Sequence, residues 1–346
     1  MELSLASEPS DRETEGGDGG DGEREEPLRP APEWVEHKLL RRFGALPARA
    51  VFALAALVFL CFALGWHQSH ALNAARDDIN RHDFTLLSEA SLDWPRILAT
   101  WPPGVAQGII YAAMLLNAWS VLRPGTGALA RLQGEVAGAD GVAMIGADDE
   151  RWLRRWRNGT MIWAVWCVSQ PFRGIAGVGW YAVPWDRWYI VSVWEYVFGY
   201  GFTTPVWVLS LRLAAALAAA KVDAINRSLE SLDVATCTDE EWDAQVRQPA
   251  IKLARDILPA LSEWGPTIGV VFVGASATIL SYVPFVVDHN DHELRSHLLL
   301  VGWLPLFVAF SAAGVTSRCN ALLEKLNELR CLGVSPSPSA AHQKQI

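Results

Sequence analysis

The chain has 346 residues, of which 51% are hydrophobic and only 19% are charged, and it contains 17 tryptophans. This composition is too apolar and too rich in tryptophan for an ordinary soluble domain of this length, and it indicates a membrane protein. Much of the acid behind the net charge of −9 lies in the amino-terminal tail, and no basic patch of the kind that binds nucleic acid occurs.

The two ends of the chain are predicted to be disordered. Residues 1–33 are acidic, rich in glycine and poor in apolar side chains, and residues 332–346 include the sequence VSPSPSAAHQKQI. The first tail lacks the basic start, apolar core and small-residue cleavage site of a secretory signal. We therefore expect the first apolar span to direct the chain to the membrane.

A membrane-spanning helix needs about 20 mostly apolar residues. Six stretches between residues 34 and 330 meet this requirement, and they predict an all-α fold, a polytopic membrane bundle of six transmembrane helices. The first stretch is the shortest and the third is the most polar. The predicted spans are Val51–Trp66, Ile97–Leu122, Thr160–Val183, Trp188–Leu211, Pro266–Val287 and His297–Ser317.

The orientation of these spans follows from lysine and arginine in the short flanks, which favour the cytosolic side. Basic residues concentrate before the first span, between the second and third, and after the fourth, whereas the alternate loops are acidic or very short. Both termini are therefore predicted to be cytosolic, with the plasma membrane as the expected location. The sequons at Asn158 and Asn226 fall on the same side, where no glycan is added, and we expect no disulfide.

Three amphipathic helices are predicted on the cytosolic side, at residues 212–233, 241–262 and 318–331. The first continues span four, and a single helix from Trp188 to Leu232 would be roughly 65 Å long. Their apolar faces predict packing against each other or against further copies, while the alternative is that they lie on the lipid surface. The faces are marked by Val222, Ile225, Leu229 and Leu232, by Val246, Ala250, Leu253 and Ile257, and by Val315, Cys319, Leu322, Leu326 and Leu329.

A charge pair is predicted inside the membrane. Arg173 lies eleven positions before Pro184, and Glu195 lies ten positions after Trp185, so an antiparallel hairpin places both at a similar depth. Ionisable residues within spans are usually paired and face protein or water. We expect Arg173 and Glu195 to form an ion pair that either joins the hairpin or lines a polar cavity; snorkelling of Arg173 to the outer interface is the third alternative.

Several polar and aromatic residues are predicted in the outer half of the bundle. An aromatic cavity with few polar anchors is typical of a small-molecule pocket, although tryptophan and tyrosine also gather at membrane interfaces. The candidate ligand-binding residues are Gln107, Tyr111, Arg173, Trp180, Glu195, Tyr196 and Tyr282.

The sequence gives no sign of catalytic or metal chemistry. His292 and His297 are five residues apart, whereas the helical zinc motif of metalloproteases needs histidines at i and i+4 with a glutamate beside the first, so an acidic loop is the simpler interpretation. No phosphate-binding loop, nucleophile elbow or dinucleotide fingerprint occurs. We expect no enzyme activity, no metal and no cofactor.

The layout resembles the gustatory and odorant receptor superfamily of insects and its gustatory receptor-like relatives in other eukaryotes. The resemblance covers Glu36 to Arg330 and rests on the cytosolic amino terminus, the over-long fourth helix ending in KVDAINRSLESL, the lead-in IKLARDILPALSEW and the sixth helix running into SRCNALLEKLNELR. It implies a homotetramer held by the cytosolic helices and a small-molecule ligand. In that family a seventh helix lines a cation pore, and no seventh span precedes Ile346.

Two functions therefore follow as expectations. The first is a chemosensory receptor or ligand-gated cation channel subunit of the gustatory receptor-like class, bound to the lipid bilayer and assembled as a homo-oligomer. The second is a membrane transporter that uses the Arg173 and Glu195 pair at its substrate site. No symmetry between two halves of the chain, of the kind common in carriers, favours the second.

Overall fold

A computed structural model of the chain describes residues 29–30, 35–79, 94–136, 144–178, 193–232, 237–289 and 292–331. Apart from one antiparallel pairing of two-residue strands, β1 (Arg29–Pro30) and β2 (Met144–Ile145), the described segments with regular structure are helical. The long helices are α1 (Val35–Gly44), α2 (Ala48–Ile79), α3 (Trp94–Leu122), α4 (Ala128–Val136), α5 (Ala147–Val178), α6 (Thr204–Ser231), α7 (Gly265–His289) and α8 (His292–Cys331).

Helix α3 lies at the centre of the fold, because α1, α2, α6 and α7 all pack against it. Helix α8 packs against α6 and α7, and α5 packs against α6. The core between them is formed by aliphatic and aromatic side chains such as Met114, Leu115 and Trp207, which are fully buried. This arrangement leaves α5, α6 and α8 as neighbours on one side of the bundle, where a cavity lies between them.

The expected single regular helix from Trp188 to Leu232 is not what the structure contains. Residues Glu195–Thr203 form a π-helix of nine residues, which leads directly into α6, and α6 ends at Ser231 because Leu232 is extended. Residues 188–192 lie outside the described residues. The periodicity of the sequence predicted the helical path but missed the wider turn.

Two further π segments, Asp243–Arg247 and Leu253–Ile257, interrupt the segment 239–262, predicted to be cytosolic, between short α-helical pieces. Each of the three π segments ends two residues before a proline: Pro205, Pro249 or Pro259. Proline lacks an N–H, and its ring clashes with the carbonyl four residues earlier in a regular α-helix. Widening the preceding turn relieves this clash, so the prolines account for the positions of the π segments.

The three helical regions that are predicted to be cytosolic meet in one small apolar cluster. Val222, Ile225 and Leu229 of α6 pack with Val246 of the segment 239–262 and with Leu322 of α8. Leu253 and Leu326 pack against this cluster from its edge. A capping box at the start of the segment 239–262 holds its first turn, because Thr238 N–H donates to Glu241 Oε2 at 3.0 Å and Glu241 N–H donates to Thr238 Oγ1 at 3.3 Å.

Two described helical stretches, Gly104–Leu122 and Val301–Glu328, are long and apolar enough to cross a membrane. The number rises to four if each of two bent pairs counts as one span: Lys38–Gly44 with Ala48–Ala63, and Glu240–Ser262 with Gly265–Leu280. These four correspond to predicted spans two, six, one and five. Predicted spans three and four both extend into residues 179–192, which lie outside the description, so the six-span count stays a prediction.

Large apolar side chains cover the outer surface of these helices. Ile162, Val165, Val273 and Leu280 are each at least 66% exposed. Such side chains on several neighbouring helices suit contact with lipid rather than with water, which is compatible with a membrane location.

Candidate functional site

The predicted site residues on α3 and the π-helix come together around one packed cluster, which we call the aromatic core and define as Phe62, Tyr111, Tyr200 and Gln107. The rings of Phe62 and Tyr111 are stacked with centroids 4.5 Å apart, and the ring of Tyr200 meets both edge-on at 5.2 and 5.0 Å. The Tyr200 hydroxyl donates to Gln107 Oε1 at 2.9 Å. Tyr196 lies beside the cluster, with its ring 5.5 Å from that of Tyr200.

The aromatic core is filled by its own side chains. Phe62, Tyr111 and Tyr200 are at most 1% exposed. Gly199 packs so closely against it that an added Cβ would overlap the Phe62 ring. A ligand would have to displace these side chains to enter.

Glu195 begins the π-helix and is 5% exposed. Among the residues that the structure describes, its side chain makes no hydrogen bond or ion pair. The main chain of Arg173 lies in α5 and that of Tyr282 in α7, but their side chains, like all of Trp180, are outside the description. The ion pair between Arg173 and Glu195 therefore stays a prediction.

A cavity lies elsewhere, between the amino-terminal half of α5, the middle of α6 and the middle of α8. This α5–α6–α8 cavity has a volume of about 620 Å³. Its lining is mostly aromatic and small apolar, with one carboxylate and two guanidinium groups. The lining residues are Asp149, Trp152, Leu153, Trp156, Arg212, Ala215, Ala216, Ala219, Trp303, Phe307, Phe310, Ser311, Gly314, Val315 and Arg318.

Helical spacing explains why these residues share one space. Trp152 and Trp156 are four residues apart on α5, and Trp303 and Phe307 are four residues apart on α8, so each pair presents a continuous aromatic face. The facing side of α6 carries alanines at 215, 216 and 219. Alanines opposite tryptophans leave the interhelical space unfilled, and a Cβ added at Gly314 would also meet nothing within 4 Å.

Arg212 reaches the cavity from α6. Its guanidinium carbon lies 4.5 Å from the centroid of the Trp156 ring, and its Nη1 donates to the Phe310 carbonyl at 3.0 Å. Among the described residues no carboxylate lies within ion-pair distance of it. Because a guanidinium has five N–H donors in one plane, donors remain for a further acceptor.

Arg318, at the other polar end of the cavity, is already neutralised. Its two terminal nitrogens donate to the two oxygens of Asp149 at 2.8 and 2.9 Å, and Asp223 of α6 lies 3.1 Å away. This network ties α5, α6 and α8 together. Burial raises the pKa of the Asp223 carboxyl, and the Arg318 guanidinium opposes that shift.

A second cavity of about 300 Å³ shares the walls formed by Trp152, Trp156 and Phe307. Thr204, at the start of α6, lines it; its buried hydroxyl makes no hydrogen bond of normal geometry in the described part of the chain, and the Tyr111 hydroxyl is its polar neighbour. Trp156 therefore borders both cavities.

Sequence reasoning missed the α5–α6–α8 cavity. Arg212 was used only as one of the basic residues that predict the orientation of the spans. The alanine-rich stretch of α6 was used only to predict a helix. The usable signal was the combination of an aromatic face at four-residue spacing on α8 with a facing helix of alanines, but the pairing of those helices is not visible in the sequence. Among the described residues no group of three or more histidine, cysteine or acidic side chains is placed to hold a metal ion. The acidic stretch 288–297, which was expected to be a loop, is helical at 288–289 and 292–297, and its side chains lie outside the description.

No protein-family model, curated protein or solved structure matches the chain.

Proposed function

We propose that the chain is a receptor-like, multi-pass membrane protein that binds a small organic molecule in the α5–α6–α8 cavity. The observation that carries this proposal is the cavity itself. Its volume of about 620 Å³ falls within the range of small-molecule sites, which are commonly apolar and aromatic with a few polar anchors.

The proposal includes six spans with both termini in the cytosol. On that topology the cavity opens at the cytosolic surface of the membrane, because Asp149, Arg212 and Arg318 all lie on the basic, cytosolic side of their spans. This differs from the outer half of the bundle, where the sequence placed the candidate ligand-binding residues. Glycan-acceptor sites inserted at His82 and Asn290 should be modified and Asn158 should not; a glycan at Asn158 would contradict the topology.

Assembly as a homo-oligomer through the cytosolic helices, with cation gating, belongs to the same proposal by resemblance. The cytosolic helices support assembly by their surface: Ile251, Leu258 and Leu323 are between 45% and 58% exposed although they lie beside the apolar cluster of one chain. Exposed apolar side chains outside the membrane favour contact with another copy.

Binding is tested with a neutral amphiphile, radiolabelled dodecanol, in lipid nanodiscs against empty nanodiscs. We expect saturable binding that Gly314→Trp removes, because that side chain would occupy the cavity. Ala312→Trp is the matched control, since Ala312 lies two residues away on α8, is exposed and does not line the cavity. Dodecanol binding that survives Gly314→Trp, or no saturable binding to the parent, would contradict the proposed function.

A transporter is the second candidate, and the π-helix that begins at the buried Glu195 favours it. Irregular turns beside a buried ionisable residue within a span are typical of substrate and ion pathways. Proteoliposomes separate the two functions. Saturable uptake that Glu195→Gln abolishes would favour the transporter, whereas ligand binding without uptake would favour the receptor.

A further inference from the structure

We propose that the α5–α6–α8 cavity takes a single-chain acidic amphiphile, with its acid group on Arg212 and its apolar chain between the aromatic walls of α5 and α8. This inference rests on the proposed function, because it names the class of ligand for the same cavity.

The two arginines of the cavity differ in how far they are satisfied. Arg318 is held by Asp149 through two hydrogen bonds and by Asp223 through a third contact, so its charge is compensated. Arg212 contacts the Trp156 ring and the Phe310 carbonyl. Among the described residues no carboxylate lies within ion-pair distance of it, and Asp149 acts on it only from farther away. Of these two cations, Arg212 is therefore the one without a carboxylate in direct contact.

The fork of Arg212 suits an oxyanion. A planar guanidinium binds a carboxylate or phosphate with parallel N–H donors, and contact with an aromatic face leaves the in-plane donors available. Apart from Asp149, Ser311 and Arg318, the cavity lining is apolar, and such surroundings strengthen a charge-assisted hydrogen bond relative to water.

The remaining lining selects the apolar part of the ligand. Trp156, Trp303 and Phe307 form walls, while Ala216 and Gly314 keep the space between them open. A volume of about 620 Å³ holds one flexible chain with its acid group but not a whole two-chain phospholipid. A free, single-chain acid that enters from the cytosol or the inner leaflet is the ligand that fits both the charge and the space.

The test compares dodecanoate with dodecanol, which have the same chain length and differ at the head group, using the full-length protein in phosphatidylcholine nanodiscs. Dodecanoate should bind about tenfold more tightly than dodecanol at neutral pH, as expected for one charge-assisted hydrogen-bonded pair. The preference should disappear when the pH is lowered until the acid is protonated. Equal affinities at neutral pH, with both lost in Gly314→Trp, would leave the proposed function standing and overturn this inference.

Variants at Arg212 locate the acid group. Arg212→Gln should bring the affinity ratio close to one by weakening dodecanoate alone, and Arg212→Lys should keep part of the preference because the charge remains without the fork. Arg123→Gln is the matched control, since Arg123 also lies over a tryptophan, 5.0 Å from the Trp119 ring, but outside this cavity. A ratio that Arg212→Gln and Arg212→Lys leave unchanged would overturn the assignment.

The same assay tests whether the acid group in the cavity could come from a two-chain phospholipid instead of a free acid. Nanodiscs that contain one fifth phosphatidylserine should leave dodecanoate binding within about twofold, because a two-chain lipid does not fit the space. Displacement of dodecanoate by phosphatidylserine would overturn the assignment to a free single-chain acid.

Discussion

The aromatic core and the α5–α6–α8 cavity are built from similar residue types, but only the second contains open space. In the aromatic core, Phe62 and Tyr111 stack at 4.5 Å and Gly199 brings the π-helix against them. In the cavity, tryptophans on α5 and α8 face alanines on α6. The difference shows that aromatic and polar residues within spans do not by themselves indicate a ligand site; the volume of the facing side chains decides whether a cavity forms.

Removing a large side chain from each region gives the largest expected contrast. Phe62→Ala should lower the free energy of unfolding by about 3–5 kcal/mol, because it leaves a void among fully buried rings. Trp303→Ala in the cavity wall should lower it by less than about 1.5 kcal/mol, because Trp303 is 44% exposed and already borders open space. Both values are measured by unfolding in mixed detergent micelles. Equal losses would mean that the two regions are packed alike.

Adding one methyl group to each region should destabilise the aromatic core but not the cavity. Gly199→Ala should destabilise the protein by about 1–3 kcal/mol, since the new Cβ overlaps the Phe62 ring. Gly314→Ala should be neutral or stabilising by up to about 1 kcal/mol, because nothing lies within 4 Å of its Cβ and alanine favours the helix. The midpoint of thermal unfolding reports both changes. A stabilised Gly199→Ala variant would contradict the close packing of the aromatic core.

The two carboxylates around Arg318 provide a test within the cavity region. Asp149→Asn should cost about 1.5–3 kcal/mol, because it weakens two hydrogen bonds to a guanidinium. Asp223→Asn should cost less than about 1 kcal/mol, since burial already raises the pKa of that carboxyl and opposes its charge. The same unfolding measurement checks both. A larger loss for Asp223→Asn would reverse the assignment of the main counter-ion.

The smallest expected effect concerns the hydrogen bond inside the aromatic core. Tyr200 and Gln107 should show a coupling energy of about 0.5–1.5 kcal/mol in a double-mutant cycle of Tyr200→Phe and Gln107→Leu. Additive effects of the two changes would mean that the 2.9 Å contact contributes nothing to stability.

Hydropathy predicted the parts of this fold that depend on one helix at a time. The predicted span Ile97–Leu122 contains the described stretch Gly104–Leu122, and the predicted span His297–Ser317 overlaps the first part of Val301–Glu328. Val222, Leu229 and Leu322 were correctly assigned to apolar faces, because periodicity is a local property. The π-helix was missed because Gly199, Gly201 and Pro205 were treated as part of a regular helix, although a proline can impose a wider turn on the residues before it.

The site was harder to predict, because a cavity is a relation between helices. Trp156, Ala216 and Phe307 are separated by 60 and 91 residues along the chain, and nothing in the sequence pairs them. The predicted site residues Gln107, Tyr111 and Tyr196 do lie near one another, but around a filled cluster. Whether such residues enclose an open cavity or a filled cluster depends on the volume of the side chains that face them. Sequence periodicity does not report that volume.

The most direct test of the account is the reaction of Gly314→Cys with a membrane-impermeant thiol reagent, in a background in which the five natural cysteines are replaced by serine. We expect labelling in permeabilised cells but not in intact cells, and slower labelling when dodecanoate is present. Gly199→Cys, in the aromatic core, should stay unlabelled in both. Labelling of Gly314→Cys in intact cells, or none after permeabilisation, would contradict an open cavity on the cytosolic side of the membrane.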